Sequence, residues 1–495
     1  MLNVLIAALV IAGGTDGVPT KSPKSVGMSA ERLRAIDRVI QRGVKAGGYP
    51  GAAVVVGRRG AAVWEKGFGK LDWVSASPVS PESTLYDIAS LTKVVGTTTA
   101  MMILFDEGRL KLDDRVTVYL PAFTGGWKDS VTLRQLLVHR SGLPAGRDIW
   151  RVAYDPQTAR DVVLESSLVC KPGDCYIYSD LGADLLGMTV EAISGQQLDV
   201  FLSERVFTPL GMTSTMFRPA DSLRTRVAPT EITPPRGYPL RGEVHDENAY
   251  ALGGVAGHAG LFSSAKDLAV FAQMMLNRGE WNGVRIVSDS AVEIFTHRAD
   301  HGSRALGWDT CDGNGGCGSY FGSRAYGHTG FTGTSLWIDP DREMFVILLT
   351  NRVHAARAHR PSQVISDVRA DLADAAALAV VEGPYGMAGM SSVFRADKAL
   401  GWNKPIRKSR SRYARRGRST SRSYVSSKKS TSKSSVRPVA KKSSTVKKSA
   451  PKAKSSVVKA RTTKAASKPV AKVTKTSTSK SSTASPGNKA KSTRR

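Results

Sequence analysis

Gly333-Thr-Ser-Leu-Trp-Ile338 is an apolar run that is followed, after Asp339-Pro-Asp-Arg342, by a second apolar run, Met344-Phe-Val-Ile-Leu-Leu349. Two such runs around a short segment with turn-forming residues predict a β-hairpin. The hairpin needs a partner that covers its open edge, because an isolated two-stranded hairpin is only marginally stable.

A second hairpin is predicted near the start of the chain. Ala52-Ala-Val-Val-Val56 and Ala61-Ala-Val-Trp64 are strand-like and are joined by Arg58-Arg-Gly60. The hairpin follows a predicted amphipathic helix that begins at Ser29, whose apolar face is Leu33, Ile36, Val39 and Ile40. More than 200 residues, mostly of helix and loop character, separate the two hairpins. We therefore expect an α/β (α+β) fold, in which both hairpins share one antiparallel sheet that encloses a helical insertion.

The positive charge of the chain is concentrated at one end. The formal net charge is +29, from 71 Lys+Arg and 42 Asp+Glu. Residues 402–495 contain 30 Lys+Arg and no Asp or Glu, which leaves 41 basic and 42 acidic residues in 1–401. The high isoelectric point is thus a property of the tail, and it excludes reading the body as a basic nucleic-acid-binding domain.

Residues 402–495 are predicted to be a disordered basic tail. They are rich in Ser, Thr, Lys, Ala and Val, and have no aromatic residue after Tyr424. Such a composition cannot bury enough apolar surface to offset the entropy of ordering. We expect the tail to bind an acidic polymer in a salt-dependent way, whether cell wall, lipid surface or nucleic acid. The alternative is a solubilising or tethering tail without a dedicated partner.

Two features bear on the compartment. Val4 to Ala12 is an apolar run of nine residues that matches the core of a secretory signal, although no Lys or Arg precedes it, and a buried strand is the alternative. The cysteines fall in two close pairs, Cys170 with Cys175 and Cys311 with Cys317. Short-loop disulfides are the simplest of the three pairings and would imply export to the periplasm or cell surface.

Catalytic chemistry is suggested first by Ser90-Leu-Thr-Lys93. If a helix starts here and runs to about Phe105, Ser90 and Lys93 are neighbours on one face. A serine hydroxyl needs a base to become a nucleophile, and a lysine amine is a base only when its pKa is lowered. The motif by itself carries little information, since Ser426 to Lys429 in the tail has the same spacing.

Further motifs in a fixed order give Ser90 a context. Tyr178-Ser-Asp180 and His328-Thr-Gly330 follow it along the chain. In this order the sequence resembles the serine hydrolases of the penicillin-binding protein and class C β-lactamase type, whose motifs are S-x-x-K, Y-x-N and K-T-G. It is most similar to D-alanyl-D-alanine carboxypeptidases of the penicillin-binding protein 4B type. Four more segments support the resemblance: Leu136 to Leu143, Pro209 to Thr213, Val244 to Ala249 and Gly253 to Phe262.

The resemblance, which covers roughly Val26 to Arg369, implies a fold and a set of roles. The fold would be β-lactamase/transpeptidase-like, an antiparallel sheet with flanking helices and an all-helical lobe. Ser90 would be the acylated nucleophile, Lys93 its base partner and Tyr178 a proton relay. The backbone N–H groups of Ser90 and Phe331 would form the oxyanion hole. Asp180, His328, Thr329 and Gly330 would contact the substrate.

Two residues depart from the usual motifs. Asp180 stands where Asn is common, and a carboxylate near Lys93 favours the ammonium form, so that Tyr178 becomes the better proton acceptor. His328 stands where Lys is usual, and a largely neutral imidazole offers less fixed charge for a substrate carboxylate. This favours esters, or peptides whose carboxylate is held elsewhere, over β-lactams.

The sequence therefore predicts a serine hydrolase that works through an acyl-enzyme on a cell-wall peptide, a β-lactam or an ester. The main hypothesis is a D-alanyl-D-alanine carboxypeptidase-like or β-lactamase-related enzyme. The alternatives are a carboxylesterase, a non-catalytic wall-binding protein on the same fold, or an enzyme that its tail targets to nucleic acid. We expect neither a cofactor nor a metal. The predicted organisation is a signal segment and leader in 1–25, the hydrolase domain in 26–380, a linker in 381–401 and the tail.

Overall fold

The two predicted hairpins pair with each other in one antiparallel sheet. The structure, a computed structural model, describes residues 17–74, 76–299, 302–311, 316–354 and 362–398. These residues lie in the first of two units of the chain, Met1–Ser409. The predicted signal core, Val4 to Ala12, and the predicted tail, 402–495, lie outside the described residues.

The regular elements are as follows. The strands are β1 Gly51–Arg58, β2 Ala61–Gly69, β3 Tyr86–Asp87, β4 Met216–Phe217, β5 Leu261–Ser263, β6 Glu280–Trp281, β7 Val284–Arg285, β8 Asp309–Thr310, β9 Tyr326–Thr329, β10 Ser335–Asp339 and β11 Met344–Thr350. The helices are α1 Ala30–Leu33, α2 Ala35–Lys45, α3 Thr99–Asp106, α4 Val116–Tyr119, α5 Leu133–Leu137, α6 Pro156–Glu165, α7 Asp180–Ser194, α8 Leu198–Leu202, α9 Glu247–Ala251, α10 Ala265–Leu276, α11 Asp289–Thr296, α12 Gln363–Leu378 and α13 Arg395–Lys398.

The main sheet has six strands in the order β2-β1-β11-β10-β9-β8, and all neighbours are antiparallel. The first and last hairpins meet where β1 pairs with β11, with Val55 opposite Ile347. Both strands are buried along their whole length, which explains why their sequences read as continuous apolar runs. The predicted fold class is confirmed at this level.

Helices cover both faces of the sheet. Ala52, Val54 and Val56 of β1 belong to the core that includes residues of α1, α2 and α12. Ala53 and Val55, which point to the other face, belong to the larger core, which includes residues of α10 and of the helical insertion. The four apolar residues predicted for the first amphipathic helix, Leu33, Ile36, Val39 and Ile40, are all buried. Among the described residues, no helix is both long enough and apolar enough to cross a bilayer.

The segment after α12, predicted to be a linker, is described as far as residue 398 and packs against the domain. Phe394 is buried in the core that includes α2 and α12. Arg395 forms ion pairs with Asp371 and Asp374 of α12, and Glu382 pairs with Arg58 of β1 at 2.8 Å. Residues 381–398 thus make contacts that a simple linker does not require. The domain limits themselves stay a prediction.

Candidate active site

Ser90 lies at the start of a helical segment whose first turn is held by Asp87. The segment begins with the turn Ala89–Leu91, continues as a π-helix over Lys93–Thr98 and ends as α3. Ala89 has φ of +48°, a conformation that is strained for a residue other than glycine. Its N–H donates to Asp87 Oδ1 at 2.8 Å, which holds this strained turn in place. Ser90 is half-buried. A plain α-helix was predicted, and the π-helical stretch is of the kind often found at functional sites.

Lys93 connects the predicted catalytic residues. Its Nζ donates to Ser90 Oγ at 3.1 Å and to the His258 carbonyl oxygen at 3.0 Å, and lies 2.7 Å from Asp180 Oδ1. Burial by itself lowers the pKa of Lys93, but the charge of Asp180 and the hydrogen bond with the Tyr178 hydroxyl outweigh burial and raise it above its ordinary value. Lys93 is thus a buried ammonium that donates hydrogen bonds.

Tyr178 is brought to Lys93 by a short disulfide-closed loop. Cys170 and Cys175 are paired in the structure, three residues ahead of Tyr178. The Ile177 N–H donates to the His139 carbonyl oxygen at 2.9 Å. The Tyr178 ring then lies with its centroid 5.0 Å from Lys93 Nζ. Ser90, Lys93, Tyr178 and Asp180 therefore meet in one group, as the sequence predicts.

His139 supports Tyr178 from behind. The two ring centroids are 4.6 Å apart, and His139 Nδ1 accepts a hydrogen bond from the Ser179 N–H at 3.1 Å. Burial lowers the pKa of His139 well below its ordinary value, and the positive charges of Arg304 and Lys93 lower it further. His139 is therefore a neutral acceptor that positions the tyrosine loop.

The turn between β9 and β10 is bonded to the segment that precedes Ser90. Thr332 Oγ1 donates to the Asp87 carbonyl oxygen at 2.7 Å, and Thr334 Oγ1 donates to the Ile88 carbonyl oxygen at 3.0 Å. Gly330 is packed so closely that a Cβ there would lie 2.5 Å from the Ile88 oxygen. A side chain at this position would push the turn away from the segment that carries Ser90.

Phe331 follows at the rim of the site. Its ring is exposed and stacks on His245, with centroids 5.7 Å apart. Its carbonyl oxygen accepts from Arg352 Nε at 2.9 Å. Because of the bonds between the two segments, the predicted oxyanion-hole residues Ser90 and Phe331 lie on neighbouring stretches of backbone.

His328 lies beside Tyr178, with the ring centroids 5.9 Å apart. Burial lowers the pKa of His328 well below its ordinary value, and the positive charges of Arg304 and Lys93 act in the same direction. Nδ1 of the neutral ring donates to the Thr329 carbonyl oxygen at 2.8 Å. The structure thus gives His328 no positive charge, as the sequence argument predicts for an imidazole without an acidic partner.

Arg304 is a cation of this site that the sequence analysis missed. Its guanidinium lies 5.3 Å from the centroid of the Tyr178 ring, and its Nε donates to the Tyr176 hydroxyl at 2.9 Å. The side chain is 12% exposed, and its Nη1 has no hydrogen-bond partner within the described part of the chain. A lone arginine outside any motif gives no sequence signal, and only the fold brings it to the cleft.

His258 forms a second charged group behind Lys93. Nδ1 lies 2.7 Å from Asp184 Oδ1 and Nε2 lies 3.0 Å from Asp246 Oδ1. Burial opposes protonation of the ring, but the two carboxylates outweigh it and raise the pKa of His258 well above its ordinary value. The resulting imidazolium ties α7 to the N-terminus of α9 and presents its own carbonyl oxygen to Lys93.

No metal site accompanies this group in the ranges that the structure describes, since no cluster of three or more His, Cys, Asp or Glu side chains there could hold an ion.

The second cysteine pair, Cys311 with Cys317, is also bonded in the structure. It closes the loop between β8 and β9.

Comparison with known sequences gives two findings. A family model described as Beta-lactamase matches residues 36–368. A protein of Escherichia coli (strain K12) named "Putative D-alanyl-D-alanine carboxypeptidase" is 35% identical over 393 residues, which cover 72% of this chain and 90% of that protein.

Comparison with solved structures shows the same fold. A penicillin-binding protein homologue from Caulobacter crescentus has a TM-score of 0.57 at 22% identity, over 71% of this chain and 98% of that chain. EstCE1, a hydrolase with promiscuous acyltransferase activity, has a TM-score of 0.57 at 20% identity, over 69% of this chain and 99% of that chain. At such low identity these likenesses speak for the fold alone.

Proposed function

The chain belongs to the beta-lactamase family and is a serine hydrolase, and on that premise we propose that it cleaves the terminal D-alanine from cell-wall peptides through an acyl-enzyme at Ser90. The observation that carries the proposal is the single group formed by Ser90, Lys93, Tyr178 and Asp180 beside the edge of the main sheet. The name of the Escherichia coli relative supports this choice of substrate.

The protonation state of Lys93 decides which group accepts the Ser90 proton during acylation. Since Asp180 and Tyr178 keep Lys93 as an ammonium, the proton of Ser90 goes to Tyr178. As Ser90 Oγ bonds to the peptide carbonyl carbon, the Tyr178 oxygen takes the Ser90 proton and passes its own hydroxyl proton to the nitrogen of the leaving D-alanine. The carbon–nitrogen bond breaks and an ester to Ser90 is left. Lys93 keeps its charge and its bond to Ser90 Oγ throughout.

Deacylation uses the same groups in reverse. The oxygen of a water molecule bonds to the ester carbon while the water gives a proton to Tyr178. The Tyr178 hydroxyl proton returns to Ser90 Oγ as the ester bond breaks. In both steps the negative charge on the carbonyl oxygen is met by the backbone N–H groups of Ser90 and Phe331. The bonds from Thr332 and Thr334 to the segment before Ser90 support this role, because they fix the two stretches of backbone relative to each other.

The substrate carboxylate needs a cation that His328 does not provide. Arg304 is a half-buried guanidinium in the same part of the cleft, and its Nε lies 3.8 Å from Asp309 Oδ1. A charge-assisted bond to a carboxylate is among the stronger polar contacts in proteins. We assign to Arg304 the recognition of the terminal carboxylate, with Asp180, Thr329 and Gly330 lining the peptide beside it. This favours peptides over neutral esters.

A direct test compares three substrates on one preparation of the full chain. We expect D-alanine release from a D-Ala-D-Ala peptide, slower nitrocefin opening and some cleavage of p-nitrophenyl acetate. All three should disappear in Ser90→Ala, together with the covalent adduct formed with fluorescent penicillin. A wild-type chain that gives neither an adduct nor turnover would contradict the enzymatic proposal and favour the non-catalytic wall-binding alternative.

The second candidate function is a carboxylesterase. The neutral His328 favours it, since an ester without a carboxylate gains nothing from a cation at that position. Preference for p-nitrophenyl acetate over the D-Ala-D-Ala peptide would support the esterase and argue against the role given to Arg304.

We propose that the enzyme acts outside the cytoplasm, in the periplasm or at the cell surface. Residues 402–495 would bind it to an acidic polymer of the wall or to an acidic lipid surface. The pairing of all four cysteines supports export. Deletion of 402–495 should leave ester turnover nearly unchanged and abolish retention on an anionic resin at low salt. Recovery of the protein from the cytoplasm, with reduced cysteines and bound nucleic acid, would contradict the proposed location.

A further inference from the structure

A large cavity with a rim of aromatic rings is lined by none of Ser90, Lys93, Tyr178 and Asp180, the four residues called the catalytic group from here on. Its volume is about 730 Å³, and Trp150, Tyr154, Tyr238 and Tyr250 line it. Tyr154 is 86% exposed, and Tyr238 and Tyr250 are also exposed. Aromatic rings are costly to leave in water, and a cluster of exposed ones around a single cavity is typical of a binding site.

The cavity carries no net charge. Its lining includes three guanidinium groups, Arg218, Arg224 and Arg241, and three carboxylates, Asp155, Asp221 and Glu243. Some of these groups are already engaged, since Arg241 pairs with Asp72 and Glu243 accepts a hydrogen bond from the Tyr238 hydroxyl at 2.9 Å. A balanced lining of this kind gives no net attraction for an anion or for a cation. It suits an uncharged ligand with many hydroxyl or amide groups.

The cavity is adjacent to the elements that hold the catalytic group. Phe262 of β5 lines it, and β5 pairs with β3 so that Phe262 lies opposite Asp87, the residue that holds the turn before Ser90. Tyr250 belongs to α9, whose first residues are capped by Asp246, a partner of His258. A long substrate bound at Ser90 therefore has a second surface within the same region of the domain.

We propose that this cavity binds the glycan of the cell wall, a neutral chain of N-acetylated sugars, while the attached peptide occupies the catalytic group. Sugar rings present apolar C–H faces that stack on aromatic rings, and hydroxyl and amide edges that bond to charged side chains. The proposal rests on the proposed function only in the choice of a wall glycan. The cavity itself is defined by its shape, rings and charge balance.

The test measures binding without turnover. Isothermal titration of the full chain with chitotetraose, a neutral oligomer of N-acetylglucosamine, should give saturable one-to-one binding with a dissociation constant of about 1 mM or tighter. Because the probe is uncharged, the basic tail contributes no electrostatic binding. Tyr154→Ala should weaken binding by roughly fivefold or more, since a lost aromatic contact is worth about 1 kcal/mol. Tyr154→Phe keeps the ring and should bind like wild type.

A matched control is Tyr320→Ala, because Tyr320 is also exposed, at 40%, and does not line the cavity. Its binding should be unchanged. No binding by the wild type in the millimolar range, or equal binding by wild type and a Tyr154→Ala/Tyr238→Ala variant, would overturn the proposal.

The outcomes also separate the glycan site from the catalytic proposal. Binding should persist in Ser90→Ala, so a chain that binds chitotetraose but releases no D-alanine would contradict only the proposed function. A chain that releases D-alanine but ignores the sugar would contradict only the glycan site. In wild type, KM for a disaccharide-pentapeptide should be about fivefold lower than for the free pentapeptide, and Tyr154→Ala should remove that difference while kcat stays the same.

Discussion

Two buried histidines contact the group formed by Ser90, Lys93, Tyr178 and Asp180, and they differ in charge: His258 lies beside Lys93 and His328 lies beside Tyr178. His258 is 2% exposed and His328 is 4% exposed, so burial alone does not distinguish them. His258 lies between the carboxylates of Asp184 and Asp246, and its pKa is raised. His328 faces Arg304 and Lys93, and its pKa is lowered. The neighbouring charges, not the depth, decide which ring is protonated.

The two sides of the site therefore differ in the charges that they hold. On the side of the helical insertion, acidic groups hold two buried cations, Lys93 and His258, in fixed positions. At the sheet edge a neutral imidazole lies beside Tyr178, and the fixed positive charge comes from Arg304 instead. In the proposed mechanism, the first side holds the protons on Lys93 and His258, and the second side offers a positive charge to the substrate carboxylate. Each prediction below changes one side and asks whether the other is affected.

The largest effect is expected when the cation nearest the nucleophile is removed. Lys93→Ala deletes the donor to Ser90 Oγ and leaves Asp180 without its 2.7 Å partner. We expect kcat/KM for p-nitrophenyl acetate to fall by about 10²- to 10³-fold, the range for loss of a fixed hydrogen-bond donor at a reacting group. Lys70→Ala, which removes an exposed lysine on the same domain, is the control. Activity within tenfold of wild type would mean that Lys93 is only a structural ion-pair partner.

The second prediction concerns His258. His258→Gln removes the partner of the buried Asp184 carboxylate and of the half-buried Asp246 carboxylate. We therefore expect the free energy of unfolding to drop by about 3 kcal/mol, the lower end of the range for broken buried ion pairs. The folded-state pKa of His258 is raised. Its contribution to stability is therefore fully present below about pH 6.5, the unfolded value, and is lost as pH rises through the folded value.

Urea unfolding at several pH values tests this. The gap between wild type and His258→Gln should narrow as pH rises, and Asp184→Asn should recover part of the lost stability in the double variant. His297→Gln, at an exposed histidine, should change stability by less than about 0.5 kcal/mol. A constant gap at every pH would show that His258 is not charged in the folded state.

The sheet and the central residues of the site could be predicted because their signals are local or ordered. Each strand of β1, β10 and β11 is indicated by an apolar run of a few residues, and each hairpin by the turn that joins its two strands. Ser90, Lys93 and Tyr178 were predicted from motifs in a familiar order, and the structure brings them together.

The remaining parts depend on contacts that no local pattern encodes. Asp184 and His258 are 74 residues apart in sequence, and Arg304 reaches Tyr178 from a different element. The positive φ of Ala89 is held by Asp87 and by the turn between β9 and β10, whereas alanine by itself favours a regular helix. The aromatic cavity likewise gathers residues from separate segments, such as Trp150 and Tyr238, which have no spacing in common.

The third prediction tests the cation at the sheet edge. Arg304→Gln should lower kcat/KM for a D-Ala-D-Ala peptide by about 10- to 100-fold, because a hydrogen bond to a charged group is worth about 1.5–3 kcal/mol. Cleavage of p-nitrophenyl acetate, which has no carboxylate to bind, should change by less than about threefold. Arg278→Gln, at an exposed arginine away from the cleft, is the control. Equal losses on both substrates would mean that Arg304 acts by holding Tyr176 and Tyr178 in place.

The smallest effect is expected for His328, and its sign is opposite to that of His258. The folded-state pKa of His328 is lowered, so below about pH 6.5 the unfolded chain binds a proton that the folded chain does not. Stability should therefore fall on the acid side, by at most about 1.4 kcal/mol per pH unit from this group. His328→Gln removes the titrating ring, so the urea midpoint of this variant should depend less on pH between pH 5 and 7 than that of wild type. The stability gap caused by His258→Gln instead changes above about pH 6.5, where it narrows. If His328→Gln instead reduced stability at acid pH more than at neutral pH, the ring would be protonated in the folded protein, and the two sides of the cleft would not differ in charge as described.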